Sequence, residues 1–500
     1  MKKTTALQAI LLLLQLLCFG VSSQSDSLTA TMDGEERQFL YSAIQGFVGK
    51  WWNGSNLYPE PCGWTPIQGV FCDLFDNGMW YVTSIKIGPI FDNSLKCSKN
   101  AAFSPNLFKL KNLKRLSLVD CFHQPTYFPS MEWSELSSTL KTLEFRSNKG
   151  LVGDIPPVLG QILSLQSLVL TENSLTGEIP WELGNLVSLK RLSLSSNQLS
   201  GPLPISLGAN LSELLIMDIS SNSLSGPLPS SLGRLSSLLK LDLSNNFFSG
   251  DLLPELCSLK NLTLLDLGNN GLTGGLQPCL QVMIFLQDMV FSDNPLGGSM
   301  KELDWKKLEK LVHLDLSNTT LVGEIPDSIT ELKKLRFLAL DNNRLCGSVS
   351  PKLATMPSLS SLYLHGNNLS GELEFSVGFY KRMGRRFASW RNPNLCYRFP
   401  AVNSAGEEGP AGVEKCINGE DCSQTENSTT SLEISKGSDY MSPGFLWALL
   451  VEQGVILSVL SSLRTFQKKA IRKKILFKAF INHGRAGRRK GKRNHGRAKT

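Results

Sequence analysis

Leucines and asparagines recur at a fixed interval along this 500-residue chain, in the pattern L-x-x-L-x-L-x-x-N. The last position returns every 24 or 25 residues and is occupied by Asn148, Asn173, Asn197, Asn222, Asn246, Asn270, Asn294, Asn343 and Asn367. Thr319 takes this position once, and Cys121 takes it in an earlier unit. The spacing therefore predicts about eleven repeated units over residues 110–378.

Each unit predicts a short strand whose alternate leucines, such as Leu168 and Leu170, point into a shared interior. A unit of about 24 residues cannot bury that apolar face alone, so the units must stack. The turn after each strand buries backbone groups, and an asparagine amide offers them both a donor and an acceptor. The pattern thus predicts a solenoid with parallel strands on its concave face, and it makes the repeated asparagines structural.

The second half of each unit reads L-x-G-x-[I/L]-P-x-x-L-G, as in 175–184. This form resembles the extracellular leucine-rich repeats of plant receptor kinases and receptor-like proteins, over roughly residues 36–396. The resemblance implies an α/β leucine-rich-repeat solenoid, a right-handed superhelical horseshoe. Charged sequence at 299–310 replaces the usual half-unit, and Leu253 and Gln277 stand where proline is usual. We expect a local irregularity there and no break in the stack.

Finer matches favour one subgroup of that family. They are the segment from Trp51 to Val70, the pair Cys121-Phe122, and the segment from Leu143 to Leu151. The subgroup consists of receptor-like proteins without a kinase, at the cell surface, implicated in the response to a root-colonising fungus. The resemblance implies this role, whereas the repeat spacing alone indicates a binding scaffold.

Caps are expected at both ends of the stack, because a solenoid otherwise exposes its interior. Residues 24–109 are the predicted N-terminal cap, with apolar positions near helical spacing between Glu35 and Val48. Residues 379–399 are the predicted C-terminal cap.

Ten cysteines remain if the first 23 residues are removed. The resemblance to the plant family implies a disulfide between Cys62 and Cys72. Two further alternatives stay open: Cys97 pairs with Cys121 or Cys121 only occupies its repeat position, and Cys396 pairs with Cys416 or Cys422. The remaining cysteines are buried thiols or local pairs, and they are Cys257, Cys279 and Cys346.

Residues 1–23 are typical of a secretory signal peptide, with Lys2 and Lys3 before an apolar run and small residues after it. Six N-glycosylation sequons follow, at Asn53, Asn210, Asn261, Asn318, Asn368 and Asn427. Together they indicate an oxidising, glycosylating route for the chain.

The C-terminal part predicts a flexible linker at 400–443, a membrane helix at 445–463 and a basic cytoplasmic tail at 464–500. The tail holds 15 Lys and Arg and no Asp or Glu, which accounts for the net charge of +8. Such a flank favours a spanning segment with the ectodomain outside, although Glu452 near its centre opposes insertion. The alternative is a basic amphipathic segment lying on a membrane surface. The cluster 485–492 is interpreted as a stop-transfer flank, with binding to anionic lipid or nucleic acid as the other interpretation.

No pattern typical of an enzyme, cofactor site or metal site occurs in the sequence. Asp218, Asp242, Asp266 and Asp315 recur in one column of the concave face, which is more typical of a solvated repeat position than of acid–base chemistry. We therefore expect no enzyme, no cofactor and no metal.

Binding through the concave face is the remaining function. The candidate ligand-binding residues are aromatic and ionisable side chains near the C-terminal end of the repeats: His313, Asp315, Phe337, Asp341, Tyr363 and His365. The expected partners are an extracellular protein, peptide or glycan ligand, a co-receptor kinase and the plasma membrane, and no nucleic acid. The alternatives are that these side chains only decorate the surface, and that the protein is a secreted binder or inhibitor of microbial wall-degrading enzymes in the cell wall space.

Overall fold

Fourteen short strands form one continuous sheet in a computed structural model that describes residues 30–90, 92–130, 132–398 and 409–416. In sheet order the strands are Val70–Leu74, Trp80–Ile87, Arg115–Val119, Thr142–Arg146, Ser167–Thr171, Arg191–Ser193, Ile216–Asp218, Lys240–Asp242, Leu264–Asp266, Asp288–Val290, His313–Asp315, Phe337–Ala339, Ser361–Tyr363 and Phe387–Ala388. The first pair is antiparallel. The pairs that follow are parallel and shifted by one repeat, so that Ile216 lies opposite Lys240 and Lys240 opposite Leu264. The predicted stack of parallel strands is confirmed.

The other side of each turn carries smaller sheets and single helical turns. The smaller sheets consist of Val152–Asp154 and Ser174–Thr176; of Ser200–Gly201, Ser223–Pro227, Phe247–Asp251 and Gly271–Thr273; and of Val322–Glu324, Arg344–Gly347, Asn368–Leu373, Asn394–Tyr397 and Glu414–Lys415. The 3-10 helices are Pro105–Lys109, Glu132–Leu136, Pro157–Gln161, Trp181–Asn185, Ser230–Arg234, Pro254–Ser258, Pro278–Val282, Met300–Glu302, Trp305–Lys307, Asp327–Glu331 and Gly384–Arg386. The α-helices are Gly34–Val48, Gly54–Leu57, Ile205–Asn210, Lys352–Thr355 and Val377–Met383.

Leucines fill the interior between the two sides of each turn. Leu168 and Leu170 are fully buried, as are the equivalent leucines of neighbouring turns. At the irregular unit, two 3-10 helices replace the usual single turn, and the fully buried Trp305 donates from Nε1 to the Met300 carbonyl at 2.9 Å. The strand His313–Asp315 still pairs with Asp288–Val290. The expected irregularity therefore leaves the stack unbroken.

The repeated asparagines lie in a ladder between successive turns. Asn246 donates from Nδ2 to the carbonyls of Ile219 in the preceding turn and Leu243 in its own, both at 3.1 Å. Its Oδ1 accepts from the backbone N–H of Leu224 at 3.1 Å. Thr319 occupies the same position and donates from Oγ1 to the Leu316 carbonyl of its own turn at 2.7 Å. Its backbone N–H donates to Oδ1 of Asn343 in the next turn at 3.0 Å.

The N-terminal end of the stack is covered by the helix Gly34–Val48, whose first turn is capped by the Asp33 side chain. Glu36 is buried where this helix meets the sheet, and its Oε1 accepts from the backbone N–H of Val82 at 2.7 Å. Burial raises the pKa of Glu36 to about 7, and the nearby Asp33 carboxylate adds to the rise. A cluster of aromatic rings lies beneath the helix and consists of Phe47, Phe103, Phe122, Phe128, Trp133 and Phe145.

Four disulfides join neighbouring segments of the described chain. Their pairs are Cys62–Cys72, Cys97–Cys121, Cys257–Cys279 and Cys396–Cys416. Cys121 thus both pairs with Cys97 and keeps its repeat position, since its backbone N–H donates to Oδ1 of Asn148 at 2.7 Å. Cys346 is a half-buried free thiol.

The C-terminal end departs from the predicted boundaries in two places. The strand Phe387–Ala388 adds to the large sheet, and Asn392 continues the ladder by donating to the Leu364 carbonyl at 3.0 Å. The supposed cap at 379–399 thus includes a further turn of the repeat. Residues 409–416, predicted as flexible linker, instead contribute the strand Glu414–Lys415, which pairs with Asn394–Tyr397. The linker prediction is wrong for this segment, because a disulfide and a strand pairing hold it against the last turn.

Several predicted features lie outside the described residues. They are the signal peptide 1–23, most of the linker 400–443, the segment 445–463, the tail 464–500, Asn427 and Cys422. Within the residues that the structure describes, no helix is both long enough and apolar enough to span a bilayer.

Candidate ligand-binding face

The side chains between the leucines of each strand point away from the interior and form what we call the open sheet face. Leu314, for example, is fully buried, whereas His313 and Asp315 on either side of it are only half-buried. The register then aligns equivalent side chains across turns, so that His313 lies opposite Phe337 and Asp315 opposite Ala339. Every predicted binding residue lies on this face, because each occupies a position between or just after the buried leucines.

Five rings on the open sheet face form what we call the aromatic patch: His313, Phe337, Tyr363, His365 and Trp390. The ring centroids of His313 and Phe337 are 4.4 Å apart, and those of Phe337 and Tyr363 are 5.6 Å apart. His365 stacks on Trp390 at 4.6 Å with 30° between the planes. The patch therefore extends over four successive turns.

Carboxylates flank both histidines of the patch. Asp341 Oδ2 lies 3.4 Å from His365 Nε2, and Asp288 Oδ1 lies 3.9 Å from His313 Nδ1. Burial raises the pKa of Asp341, while the neighbouring His365 acts in the opposite direction. Each imidazole of the patch thus has one carboxylate beside it.

Asp315 has a different environment from the other predicted binding residues. Its Oδ1 accepts from the backbone N–H of Ser317 at 3.1 Å and from the Ser317 hydroxyl at 2.7 Å. One oxygen is therefore occupied within its own turn. Asp315 lies on the same face as the aromatic patch. It is not one of the side chains in ring contact within the described part of the chain.

The column of aspartates is half-buried instead of fully solvated. Burial raises the pKa of Asp242, and it raises that of Asp266 to about 6, with the carboxylates of neighbouring turns adding to the rise. Asp266 Oδ1 accepts from the backbone N–H of Gly268 at 3.0 Å, which opposes the rise. Across the described part of the chain, no three His, Cys, Asp or Glu side chains are arranged to hold a metal ion.

Trp390 was missed by the sequence analysis, although a signal for it exists. Asn392 lies 25 residues after Asn367, and Phe387 stands in a position that leucine usually occupies. Arg391 has a positive φ of 55°, like the residue before the ladder asparagine in earlier turns, such as Ser221 at 56°. Extending the repeat by one unit would have placed Trp390 on the open sheet face.

The sequons within the described chain lie on its surface. The exposed asparagines are Asn53, Asn210, Asn261, Asn318 and Asn368. Asn318 donates from Nδ2 to Oδ1 of Asp293 at 2.8 Å, and Asn261 donates to the Ser236 carbonyl at 3.0 Å. Attachment of a glycan at any of them remains a prediction.

The repeated region of the chain matches a known protein family. The family model described as a leucine-rich repeat region matches residues 139–395, just over half of the chain. The chain belongs to the leucine-rich-repeat family. The predicted resemblance to plant leucine-rich-repeat receptor-like proteins is confirmed.

Two relatives from Arabidopsis thaliana match parts of this leucine-rich-repeat protein. Piriformospora indica-insensitive protein 2 is 53% identical over 169 residues, which are 33% of this chain and 40% of the relative. Receptor like protein 29 is 33% identical over 156 residues, which are 30% of this chain and 32% of the relative. The matches thus span less than half of either relative's length.

A solved structure shares the fold over a longer stretch. The crystal structure of PEPR1-AtPEP1 has a TM-score of 0.55 and 28% identity, and the match covers 73% of this chain and 51% of that one. The similarity supports a leucine-rich-repeat solenoid fold for the described residues.

Proposed function

We propose that the protein is a kinase-free receptor-like protein of the plasma membrane, with its repeats outside and a single membrane pass. It binds an extracellular or microbial cue, which is a protein, peptide or glycan, and it signals through a partner receptor kinase. A role in the response to fungi or symbionts, or in defence, follows from the resemblance to Piriformospora indica-insensitive protein 2. The similarity to Receptor like protein 29 supports a place at the cell surface.

The observation that carries the proposal is the aromatic patch on an otherwise polar sheet face. Most other outward positions are small or polar, such as Ser195, Ser220 and Ser317. Rigid rings supply contact area at little cost in conformational entropy, and aromatic side chains dominate the energetics of protein interfaces. Trp390 is 37% exposed, so its ring is available to a ligand.

A double substitution of two patch residues tests the proposal. Phe337→Ala with Tyr363→Ala removes two of the rings in contact, and we expect partner binding to weaken roughly tenfold or more. Folding and secretion should stay unchanged, because neither ring is part of the leucine interior. The matched control is Thr142→Ala with Ser167→Ala, which alters outward positions far from the patch.

The measurement is quantitative co-purification from the native membrane, with the wild type, the double variant and the control compared side by side. Proteins retained by the wild type and the control but lost from the double variant are the expected partners. Equal recovery of every partner with the double variant would remove the patch from the binding site.

A secreted binder or inhibitor of microbial wall-degrading enzymes is the second candidate. Glu452 near the centre of segment 445–463 favours it, since a central acidic side chain costs roughly 2.5 kcal/mol of insertion free energy. A carbonate wash of membranes separates the two candidates. Retention of the glycosylated protein supports the receptor, and release supports the secreted binder.

A further inference from the structure

A groove of about 560 Å³ lies beside the cap helix Gly34–Val48, on a different part of the molecule from the aromatic patch. One wall is the helix face that carries Arg37, Gln38 and Gln45, and the other is the segment 53–55. A volume of this size falls within the range of about 300–1,000 Å³ that is typical of small-molecule sites.

The walls of the groove are mostly polar, with one aromatic ring. Tyr41 lines it beside Ser42, and the Tyr41 hydroxyl donates to the Tyr58 carbonyl, which fixes the ring. Arg37 donates from Nη1 to the Pro59 carbonyl at 2.9 Å, and Gln45 donates to the Trp52 carbonyl at 2.9 Å. Gln38 is exposed, and its amide makes no hydrogen bond to the described residues. The groove therefore offers side-chain donors and acceptors together with a rigid ring.

Asn53 lines this groove and begins the sequon Asn53-Gly54-Ser55. Its Oδ1 is oriented by two hydrogen bonds, from the backbone N–H of Asn56 at 3.2 Å and from the Ser55 hydroxyl at 2.8 Å. Because Oδ1 caps the short helix Gly54–Leu57, the direction of Nδ2 is fixed as well. Nδ2 makes no hydrogen bond within the described chain.

The other sequons of the described chain differ in these respects. The Nδ2 atoms of Asn261 and Asn318 already donate to groups of neighbouring turns. Asn210 and Asn368 are exposed, but neither lines the groove. Asn53 therefore combines an oriented amide, an unused Nδ2 and an adjacent polar groove.

We propose that Asn53 carries an N-linked glycan whose first sugars lie in this groove. In the modification, Nδ2 forms a bond to the anomeric carbon of a lipid-pyrophosphate-linked oligosaccharide. The bond from that carbon to the pyrophosphate oxygen breaks, and one amide proton leaves to a base of the transferase. Oδ1 keeps both of its hydrogen bonds in the product, so the cap of Gly54–Leu57 survives the modification.

Sugar hydroxyls both donate and accept hydrogen bonds, as the side chains of the groove do. Gln38 is the side chain best placed to bond to a sugar hydroxyl, because its amide is exposed and makes no hydrogen bond to the described residues. The glycan then covers the outer face of the cap helix. The proposal requires that the chain enters the secretory route, and it does not depend on the ligand of the aromatic patch.

The test uses the full chain expressed in a secretory host, with the Asn53 glycopeptide identified by mass spectrometry. The rate at which an endoglycosidase releases the Asn53 glycan is measured on native and on denatured protein. We expect native release to be at least about tenfold slower than denatured release. The glycan at Asn368, where occupied, should show a much smaller difference because it lies in the open.

Two variants separate packing in the groove from a general effect of folding. Gln38→Trp fills the groove and should bring native release at Asn53 close to the denatured rate. Glu35→Ala, which changes an exposed side chain of the same helix that does not line the groove, should keep release slow. An unmodified Asn53 would overturn the proposal, and so would native release that is equally fast in the wild type and in Gln38→Trp.

Discussion

One side chain per turn holds neighbouring turns together at the residue scale. A ladder asparagine such as Asn246 supplies donors to carbonyls of two turns and an acceptor to an N–H of the preceding turn. These backbone groups are buried and have no access to water, so the amide replaces bonds that solvent would otherwise provide. The leucines around it contribute apolar packing that does not depend on orientation, whereas the directional hydrogen bonds of the amide fix the spacing between turns.

Removing one ladder amide should therefore destabilise the protein. Asn246→Ala leaves the buried Leu224 N–H without its partner, and an unsatisfied buried group costs about 1–3 kcal/mol. It also removes a hydrogen bond to the Ile219 carbonyl, which then accepts only from Asn222 Nδ2 among the described residues. We expect the free energy of unfolding, measured with denaturant, to fall by about 2–4 kcal/mol.

The matched control is Asn185→Ala, which removes an exposed amide outside the ladder. It should change the free energy of unfolding by less than about 0.5 kcal/mol. Equal losses in the two variants would mean that the ladder contributes nothing beyond a generic surface amide.

At the scale of elements, the contact between the cap helix and the sheet contains an ionisable group. Glu36 is buried there and accepts from Val82, and its pKa is raised to about 7. A carboxyl whose pKa is higher in the folded than in the unfolded state binds extra protons on folding. The contribution of Glu36 to the free energy of unfolding is favourable at low pH, and it is lost as the pH rises from about 4.5 to about 7.

Glu36→Gln should remove this loss, because a neutral amide oxygen can still accept from the Val82 N–H. We expect the variant to be more stable than the wild type by about 1–3 kcal/mol at pH 8, and nearly equal to it at pH 4. The measurement is the free energy of unfolding across this pH range. Glu35→Gln, on the exposed side of the same helix, should follow the wild-type curve.

The sequence predicted the strands of the units up to Asn367, and it missed strands beyond the last predicted unit. The strand Phe387–Ala388 was missed because phenylalanine stands in the leucine position and Ser389 in the next one. The strand Glu414–Lys415 was missed because it has no apolar pattern. It is held by pairing with Asn394–Tyr397 and by a disulfide, neither of which has a local signal.

The repeat pattern predicts which side chains lie on the open sheet face, but it does not predict which of them are in contact. The repeat register alone places Phe337 and Tyr363 on the open sheet face. Their contact at 5.6 Å joins different columns, and it depends on side-chain conformations that a repeat pattern does not fix. The stacking of His365 on Trp390 needed a turn that the sequence analysis did not extend to.

At the scale of the whole molecule, stability is built from contacts between adjacent turns. Each strand of the large sheet pairs only with its immediate neighbours in the sheet order within the described chain, as Lys240–Asp242 does with Ile216–Asp218 and Leu264–Asp266. Such a stack behaves approximately as a sum of repeat stabilities and interface terms. Its length is therefore adjustable in units of one turn.

Deletion of one complete turn should be tolerated. Removal of 223–246 brings Ile216–Asp218 opposite Leu264–Asp266 in the same register, with both ends of the stack intact. We expect a folded protein with cooperative unfolding, detected by circular dichroism and thermal denaturation. Removal of 223–234, which is half a turn, should prevent folding because it places polar residues in the leucine positions. Equal damage from both deletions would contradict independent turns.

Two of the buried tryptophans give separate regions of this stack their own optical signatures. Trp133 lies in the aromatic cluster near the cap, and Trp305 lies in the irregular unit, in widely separated turns. Emission from a buried indole moves to longer wavelength when water reaches it. With the other tryptophans replaced by phenylalanine, the two emission shifts on heating would reveal whether the turns near the cap and the irregular unit melt together or one after the other.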